Sequence, residues 1–210
     1  MLDHTTINIQ SSIRIEAEGK VIYFDPFQIA DYPHDADIIF FTHPHYDHFS
    51  PKDIEKVKKE GTFFVAPESM QNDLESNNLR NNAFVLPNQQ RLIKDISVET
   101  THAYNIDKSY HPVDNDWVGY ILMLEGNRFF ITGDTDCTDD VKRVRCDVIF
   151  LPIGGTFTMN PKEAADAVNA IMPRIAVPTH YGSIVGDPLD AERFRSFVDQ
   201  NVNVRILIQH

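Results

Sequence analysis

The chain has 210 residues, of which 42% are hydrophobic and 24% charged, the composition of an ordinary globular protein. Its 31 acidic and 19 basic residues give a formal net charge of −12, which disfavours a free nucleic-acid binder and adherence to anionic membranes. Two cysteines exclude a disulfide framework, and neither a signal peptide nor an apolar run of ~18 residues is visible. We therefore expect one cytoplasmic domain over residues 1–210 that acts on a small molecule, with no nucleic-acid or membrane partner. The oligomeric state stays open.

In chain order, the first half alternates short apolar strands with turns. The last of these strands, Asp37–Thr42, is wholly apolar in its centre, as a buried strand is. A helix should follow at Ser50, because Ser, Pro and Asp at positions 50, 51 and 53 are typical of a capped N-terminus. The other elements predicted for this half are strands over 5–10, 12–16, 21–24 and 62–65 and a short helix over 68–75.

The second half repeats much of this pattern. Two turn glycines, Gly19 and Gly126, are 107 residues apart, and two aspartates that open apolar strands, Asp37 and Asp147, are 110 apart. We interpret this as an internal duplication with halves of about 1–100 and 101–210, although unrelated α/β chains also repeat strand–turn–strand units. Because antiparallel hairpins alternate with helices, the pattern favours two sheets with helices outside over one doubly wound sheet. The predicted elements are strands over 120–124, 128–132, 147–151, 175–177 and 204–208 and helices over 161–172 and 190–198.

The strongest functional signal is a histidine cluster directly after the buried strand of the first half. His43, His45, Asp47 and His48 are four potential metal ligands within six residues. In an extended segment the side chains of His43 and His45 point the same way, so they can share one metal. Asp47 and His48 can serve a second metal after the chain turns. Imidazole and carboxylate groups suit zinc, and also manganese or iron, whereas the alternative interpretation is a polar surface loop.

This H-x-H-x-D-H pattern resembles the signature of the metallo-β-lactamase-fold hydrolases. Gly133-Asp134-Thr135 is similar to the family's G-D-T, and Pro178-Thr179-His180-Tyr181 to its late histidine after a strand. These motifs stand in the same order as in the family, first the histidine cluster, then Asp134, then His180, and the resemblance extends along almost the whole chain. It implies an α/β (α+β) fold, a four-layer αββα sandwich with a two-fold pseudo-repeat, and metals at one edge between the sheets.

A closer resemblance is carried by Asp25-Pro26-Phe27 and by the segment Leu151-Pro152-Ile153-Gly154-Gly155-Thr156-Phe157-Thr158-Met159 with the helix after it. These stretches are similar to the "metal-dependent hydrolase" branch, which is related to phosphorylated-ascorbate lactonases and to enzymes of the N-acyl-phosphatidylethanolamine phospholipase D type. Most members of that branch have undefined substrates. The resemblance therefore implies the fold and the metal chemistry more closely than the substrate.

By this resemblance two zinc ions are expected, with manganese or iron as alternatives. A metal-bound hydroxide would attack a small ester, lactone or phosphodiester. Asp47 and His180 are the expected catalytic residues, and Asp134 would bridge the metals. The implied ligands are His43 and His45 on one metal and Asp47, His48 and His180 on the other.

The chain departs from the family where a third histidine normally completes the first metal site. By analogy the position falls on Asn105, with His102 three residues earlier and His111 six residues later. We favour His111 slightly as the ligand and interpret His102 as a strand-face residue. A Gly-His pair that many branch members carry near the first hairpin is also missing. Gln10 lies in that stretch and can hydrogen-bond a substrate but cannot replace an imidazole.

Several further residues have both a functional and a structural interpretation. Asp25 resembles a carboxylate that holds a ligand histidine, or is a turn residue. Gly154 and Gly155 can offer backbone N–H groups to an anion, or form a tight turn. Tyr181 can donate a hydrogen bond to substrate, or pack in the core. The softest candidates are Tyr104 and Trp117 as pocket-lining aromatics, and Cys137, which has no neighbouring base and is not expected to act as a nucleophile.

Three other functions remain open at this point. The first is a nuclease or phosphodiesterase of the same fold, which the acidic balance disfavours. The second is redox chemistry at a di-iron site, but such relatives usually carry Glu where His45 stands. The third is a catalytically silent metal-binding protein, which the departure at Asn105 keeps open.

Overall fold

Residues 1–209, which the computed structural model describes, form two β-sheets packed face to face with helices outside. The first sheet has six strands in sequence order, from β1 at one edge to β6 at the other. These strands are β1 (Thr5–Ile7), β2 (Ile13–Ala17), β3 (Lys20–Phe24), β4 (Ala36–Phe40), β5 (Lys58–Pro67) and β6 (Asn82–Val85). Helix α1 (Pro51–Val57) follows β4, and a 3-10 turn (Glu68–Met70) leads into α2 (Gln71–Ser76).

The second sheet has seven strands, and its order is the reverse of the sequence. They are β7 (Gln90–Ile93), β8 (Ile96–His102), β9 (Val118–Leu124), β10 (Asn127–Ile131), β11 (Val148–Pro152), β12 (Ile175–Thr179) and β13 (Asn203–Val204). Its connections contain a 3-10 turn (Val113–Asn115) and the helices α3 (Asp139–Arg143), α4 (Pro161–Ile171) and α5 (Asp190–Phe197).

The side chains of β4 and the residue after it show why two helical layers enclose two sheets. Ile38 and Phe40 belong to the core between the sheets, whereas Ile39 and Phe41 join the cluster that contains Ile54 of α1. Alternate side chains of a strand point to opposite faces, so a strand that is apolar throughout needs cover on both sides. Helix α4 packs on β11 in the second sheet. The four-layer αββα sandwich expected from the resemblance is confirmed.

Both sheets follow the same succession of strand directions. In each, an antiparallel hairpin is followed by three parallel strands: β2–β3 and then β4, β5 and β6, or β9–β10 and then β11, β12 and β13. The chain passes from one sheet to the other between Val85 and Gln90.

The predicted elements agree with the structure except at some ends. Ser50 caps α1 by accepting a hydrogen bond from the Asp53 N–H, as its position indicated. The strand predicted over 5–10 ends at Ile7, and Gln10 has a φ of 51° in a turn. The strand predicted over 204–208 is wrong, because β13 ends at Val204. Among residues 1–209, no helix is long and apolar enough to cross a membrane.

Candidate metal centre

Seven polar side chains converge at one edge of the sandwich. Strands β8, β10 and β12 run in the same direction, because β9 is antiparallel to both β8 and β10. Their carboxyl ends therefore lie at one edge, and the hydrogen bond from Tyr120 Oη to the Phe41 carbonyl, 2.7 Å long, joins the end of β4 to that edge. The residues that follow these strand ends are His43, His45, Asp47 and His48 after β4, His111 after β8, Asp134 after β10 and His180 after β12.

The potential ligand atoms form three overlapping groups, each with all its atoms within 4.8 Å of one another. The groups are His43, His45 and His111; His43, His48 and Asp134; and Asp47, His48 and His180. The first and third groups have no residue in common, so the arrangement offers two adjacent positions for a cation. Of the three residues considered for the first position, the structure brings His111, and neither His102 nor Asn105, into the group.

Asp134 lies between the two positions. Its Oδ2 atom is 3.1 Å from His180 Nε2 and 3.4 Å from the Nε2 atoms of both His48 and His111. Two atoms bound at about 2.1 Å to one tetrahedral zinc lie roughly 3.4 Å apart, so these spacings suit ligands of a common ion. Asp47 Oδ2 is 3.2 Å from His180 Nε2.

Three of the five imidazoles of this centre have a buried Nε2 atom without a hydrogen-bond partner of acceptable geometry, whereas His43 Nε2 and His45 Nδ1 lie 3.0 Å apart. The Nε2 atoms of His48, His111 and His180 and Oδ1 of Asp134 are all buried and unpaired among the described residues. Leaving a buried polar atom unpaired costs about 1–3 kcal/mol. Four such atoms directed at one centre fit bound cations, and the imidazole and carboxylate donors suit zinc, manganese or iron.

The charges of the cluster favour an added cation. Burial disfavours charge on His48 and His180, but the Asp134 carboxylate raises the pKa of His48 well above its usual value and that of His180 to about 9. Conversely, burial opposes ionisation of Asp134, but the charges of His180 and His48 hold its pKa well below the usual range. The carboxylates thus stabilise positive charge at this edge, and metal ions would displace the protons.

A buried carboxylate holds His48 from behind. His48 Nδ1 is 2.8 Å from Asp25 Oδ2, and Thr42 donates to both oxygens of Asp25, at 2.9 Å from its N–H and 2.6 Å from its hydroxyl. Burial raises the pKa of Asp25, and the bonds from His48 and Thr42 oppose that rise. Because Nδ1 of His48 is occupied, its Nε2 is left to face the centre. The interpretation of Asp25 as a carboxylate that orients a histidine agrees with this geometry.

Asn105 holds His111 in a comparable way. The connection from Asn105 to His111 closes on itself: the Asn105 N–H donates to the His111 carbonyl at 2.8 Å, and the His111 N–H donates to Asn105 Oδ1 at 3.0 Å. The same oxygen is 3.0 Å from His111 Nδ1. The residue at the position expected from the family is thus a partner of the imidazole that lies in the site. His102, at the end of β8, instead pairs with Asp116 Oδ1 at 3.0 Å.

Asp136 anchors this connection and was not singled out in the sequence. It accepts from Asn105 Nδ2 at 3.1 Å, from the Ile106 N–H at 2.8 Å and from Lys108 Nζ at 2.6 Å. The only feature of the sequence that could have indicated this role is its position two residues after Asp134. An aspartate at that position belongs to no recognisable motif. The bonds fix the base of the loop against the segment that carries Asp134.

A pocket with a volume of about 220 Å³ opens in front of the centre. Gly154, Gly155, Tyr181, Tyr104 and Trp117 are not part of its wall. Tyr181 is fully buried in the main core, Gly154 packs against the backbone of His180, and Trp117 packs beside the rings of His43 and His45. None of the five lines this pocket, and their interpretation as substrate- or anion-binding groups stays a prediction. The pocket is lined by His45, Tyr46, Asp47, Tyr110, His111, Asp134, Phe157, His180 and Ile184.

A methyl group at Gly154 should disturb His180. A Cβ there would lie 2.3 Å from the His180 carbonyl oxygen and 2.6 Å from Val185 Cγ2. We expect Gly154→Ala to destabilise the fold by about 1–3 kcal/mol, measured by denaturant unfolding in a chelator, and to weaken metal binding. Gly126→Ala is the control for metal binding: its φ of 73° makes alanine strained there and lowers stability, but a Cβ meets nothing within 4 Å and the position is outside the centre, so metal affinity should not change. Unchanged metal affinity in Gly154→Ala would contradict the expectation.

Comparison with known proteins agrees with this architecture. The model of the family described as "Beta-lactamase superfamily domain" matches residues 6–180. The chain is 32% identical to a UPF0173 metal-dependent hydrolase of Lysinibacillus sphaericus, over 94% of this chain and 92% of the relative. It is 33% identical to a UPF0173 metal-dependent hydrolase of Thermococcus onnurineus, over 90% of this chain and 89% of that relative. The crystal structure of a candidate metal-dependent hydrolase from Parabacteroides distasonis superposes with a TM-score of 0.85 at 31% identity, covering 98% of this chain and 93% of that one. The chain therefore belongs to the beta-lactamase superfamily, in the family of the UPF0173 metal-dependent hydrolases.

Proposed function

We propose that this protein is a hydrolase that requires two metal ions and cleaves a small ester, lactone or phosphodiester. The observation that carries the proposal is the convergence of five imidazoles and two carboxylates on one centre, with buried, unpaired ring nitrogens directed at it and a pocket in front. Its relatives are named metal-dependent hydrolases. Zinc is the expected metal, with manganese or iron as alternatives that the same donors accept.

Each side chain has a distinct task in this proposal. His43, His45 and His111 would hold one ion and Asp47, His48 and His180 the other, and Asp134, whose Oδ2 lies near imidazoles of both sets, would be shared. When bound, such ions lower the pKa of a water molecule to about 7 and polarise the substrate oxygen.

Two residues that line the pocket are the proposed catalytic groups. Asp47, whose pKa is held at about 2 against burial by the His180 imidazole 3.2 Å away, stays ionised and can orient the attacking water by accepting its hydrogen bond. His180, the second of these groups, lies with its Nε2 atom 3.2 Å from Asp47 Oδ2 and 3.1 Å from Asp134 Oδ2, and so positions both carboxylates.

The cellular setting is part of the same proposal. Both cysteines are unpaired thiols, which is typical of a reducing compartment. Burial raises the pKa of Cys137, so this thiol is a poor nucleophile at neutral pH. We infer a cytoplasmic enzyme in which the metal centre, and no cysteine, performs the chemistry.

Metal removal tests the proposal directly. Protein purified without an affinity tag or chelator should contain close to two equivalents of zinc, manganese or iron by elemental analysis. Dialysis against a chelator should abolish cleavage of p-nitrophenyl esters and bis-p-nitrophenyl phosphate and lower the melting temperature, because bound metal stabilises only the folded state. Readdition of two equivalents should restore both. Two bound metals without any hydrolysis would favour a silent metal-binding protein instead, and no bound metal would contradict the proposal.

A further inference from the structure

The pocket in front of the metal centre has an apolar outer wall. This wall consists of the lining residues that are not candidate metal ligands, Tyr46, Tyr110, Phe157 and Ile184. The rings of Tyr110 and Phe157 meet edge to face with their centroids 4.6 Å apart, an arrangement that aromatic pairs prefer. Tyr46 and Tyr110 are nevertheless exposed, at 66% and 47% of their surface, so they present apolar area that a bound molecule can cover.

No basic side chain complements an anionic substrate in this pocket. Among residues 1–209, neither lysine nor arginine lines it. Lys108 belongs to the same loop as Tyr110, but its ammonium is 2.6 Å from Asp136 Oδ1 and is neutralised there. Pairs with arginine or lysine are the strong contacts by which proteins recognise phosphate and carboxylate groups. An anionic group placed away from the metals would meet aromatic rings here instead of a cation.

We propose that the substrate is a small uncharged carboxylic ester or lactone whose apolar acyl group packs against Tyr110 and Phe157. The volume of about 220 Å³ lies below the ~300–1,000 Å³ typical of sites for drug-sized ligands, so the acyl group is short. Water adds to the carbonyl carbon, the C–O bond to the leaving group breaks, and the proton released by water goes to the departing oxygen. The proposal rests on the hydrolase function above and narrows it to carboxylic esters and lactones, because the apolar wall disfavours substrates, such as esters of dicarboxylic acids, that carry an anionic group away from the metals.

A series of p-nitrophenyl esters tests this on the metal-loaded protein. The free energy gained per buried methylene corresponds to about a fourfold change, so butyrate should exceed acetate roughly 15-fold in kcat/KM. The mono-ester of succinic acid, which has the same chain length as butyrate but ends in a carboxylate, should fall below acetate. A succinate ester or bis-p-nitrophenyl phosphate cleaved better than the butyrate ester would overturn the proposal.

The Tyr110→Ala variant links the preference to the apolar wall. It should reduce the butyrate-to-acetate ratio to about 4 or less, mainly through KM, because part of the apolar contact is lost. Tyr32→Ala is the control, since Tyr32 is also an exposed tyrosine, at 68% against 47% for Tyr110, but lies outside the pocket. A ratio that stays unchanged in Tyr110→Ala would remove this wall from substrate recognition.

Binding provides a readout that does not depend on turnover. Titration calorimetry should show that butyranilide, an uncharged amide analogue of the ester, binds more tightly than succinanilic acid and that Tyr110→Ala weakens only the former. If butyranilide binds as expected but no ester is cleaved, the proposed hydrolysis fails and the apolar preference stands. If esters are cleaved but the anionic analogue binds more tightly, the preference fails and the hydrolase function stands. Absence of both binding and cleavage would overturn both.

Discussion

The Asp134→Asn variant should lose bound metal and hydrolytic activity together while it keeps its fold. The carboxylate lies within 3.1–3.4 Å of imidazole nitrogens from both metal positions, so an amide removes the one negative charge that both share. Loss of a residue that only supports a metal ligand typically costs 10–100-fold, so for this shared group we expect about 10³-fold or more in kcat/KM. Elemental analysis should find at most one equivalent of metal.

The Asp139→Asn variant is the control for this substitution. Asp139 undergoes the same chemical change at an exposed position in the first turn of α3, and its metal content and activity should stay as in the parent protein. Circular dichroism should show the same fold for both variants. Full activity in Asp134→Asn would mean that the assigned centre does not perform the chemistry.

Replacing Asn105 by alanine should weaken metal binding by about 10–100-fold, although Asn105 is not proposed to touch the metal. The side chain holds the backbone and Nδ1 of His111, so its loss frees the imidazole to turn away from His43 and His45. Competition with a chelator should show that one of the two metals is weakened more than the other. The buried amide also donates to Asp136 Oδ1 and to the Phe157 carbonyl, so the melting temperature of the metal-free protein should fall as well, and the unequal loss of the two metals is the result specific to positioning.

A double variant tests whether Asn105 affects metal binding by positioning His111 or through a general effect on the structure. If Asn105 acts through His111, then Asn105→Ala combined with His111→Ala should bind metal no more weakly than His111→Ala alone. Asn115→Ala is the control, since Asn115 is a half-buried asparagine in the same connection that makes no side-chain hydrogen bond to the site. Additive losses in the double variant would contradict the positioning role.

The sequence indicated most of the candidate centre because its main parts are local. His43, His45, Asp47 and His48 are adjacent in sequence and follow a strand whose apolar run is unambiguous. Asp134 also follows a predicted strand, and strand ends at one sheet edge bring distant residues together. Other elements lacked such signals: three of the four residues of β7 are exposed, so no alternation marks it, and α3 has only five residues, too few to show a helical period.

The third histidine could not be fixed from spacing alone. Counting along the chain places the ligand at Asn105, but a loop of five residues leaves and returns between Asn105 and His111. The two hydrogen bonds at its base connect atoms of residues that are six positions apart, and neither bond has a signature in the residue types. Only the three-dimensional path shows that position 111 occupies the place expected for position 105.

The loop between Asn105 and His111 allows substrate preference to change in evolution without a change in metal binding. Tyr110, in the apolar wall, and His111, in the metal centre, are neighbours in sequence, yet the bonds between Asn105 and His111 hold only the base of the loop. Within the loop, Lys108 is tied to Asp136 by its side chain and Ile106 by its backbone N–H, so the side chains at positions 106, 107, 109 and 110 can be exchanged while the imidazole stays in register with its partners. A library randomised over these four positions, with Asn105, Lys108 and His111 kept, is thus a rational starting point for obtaining variants with new substrate preferences and an intact metal centre.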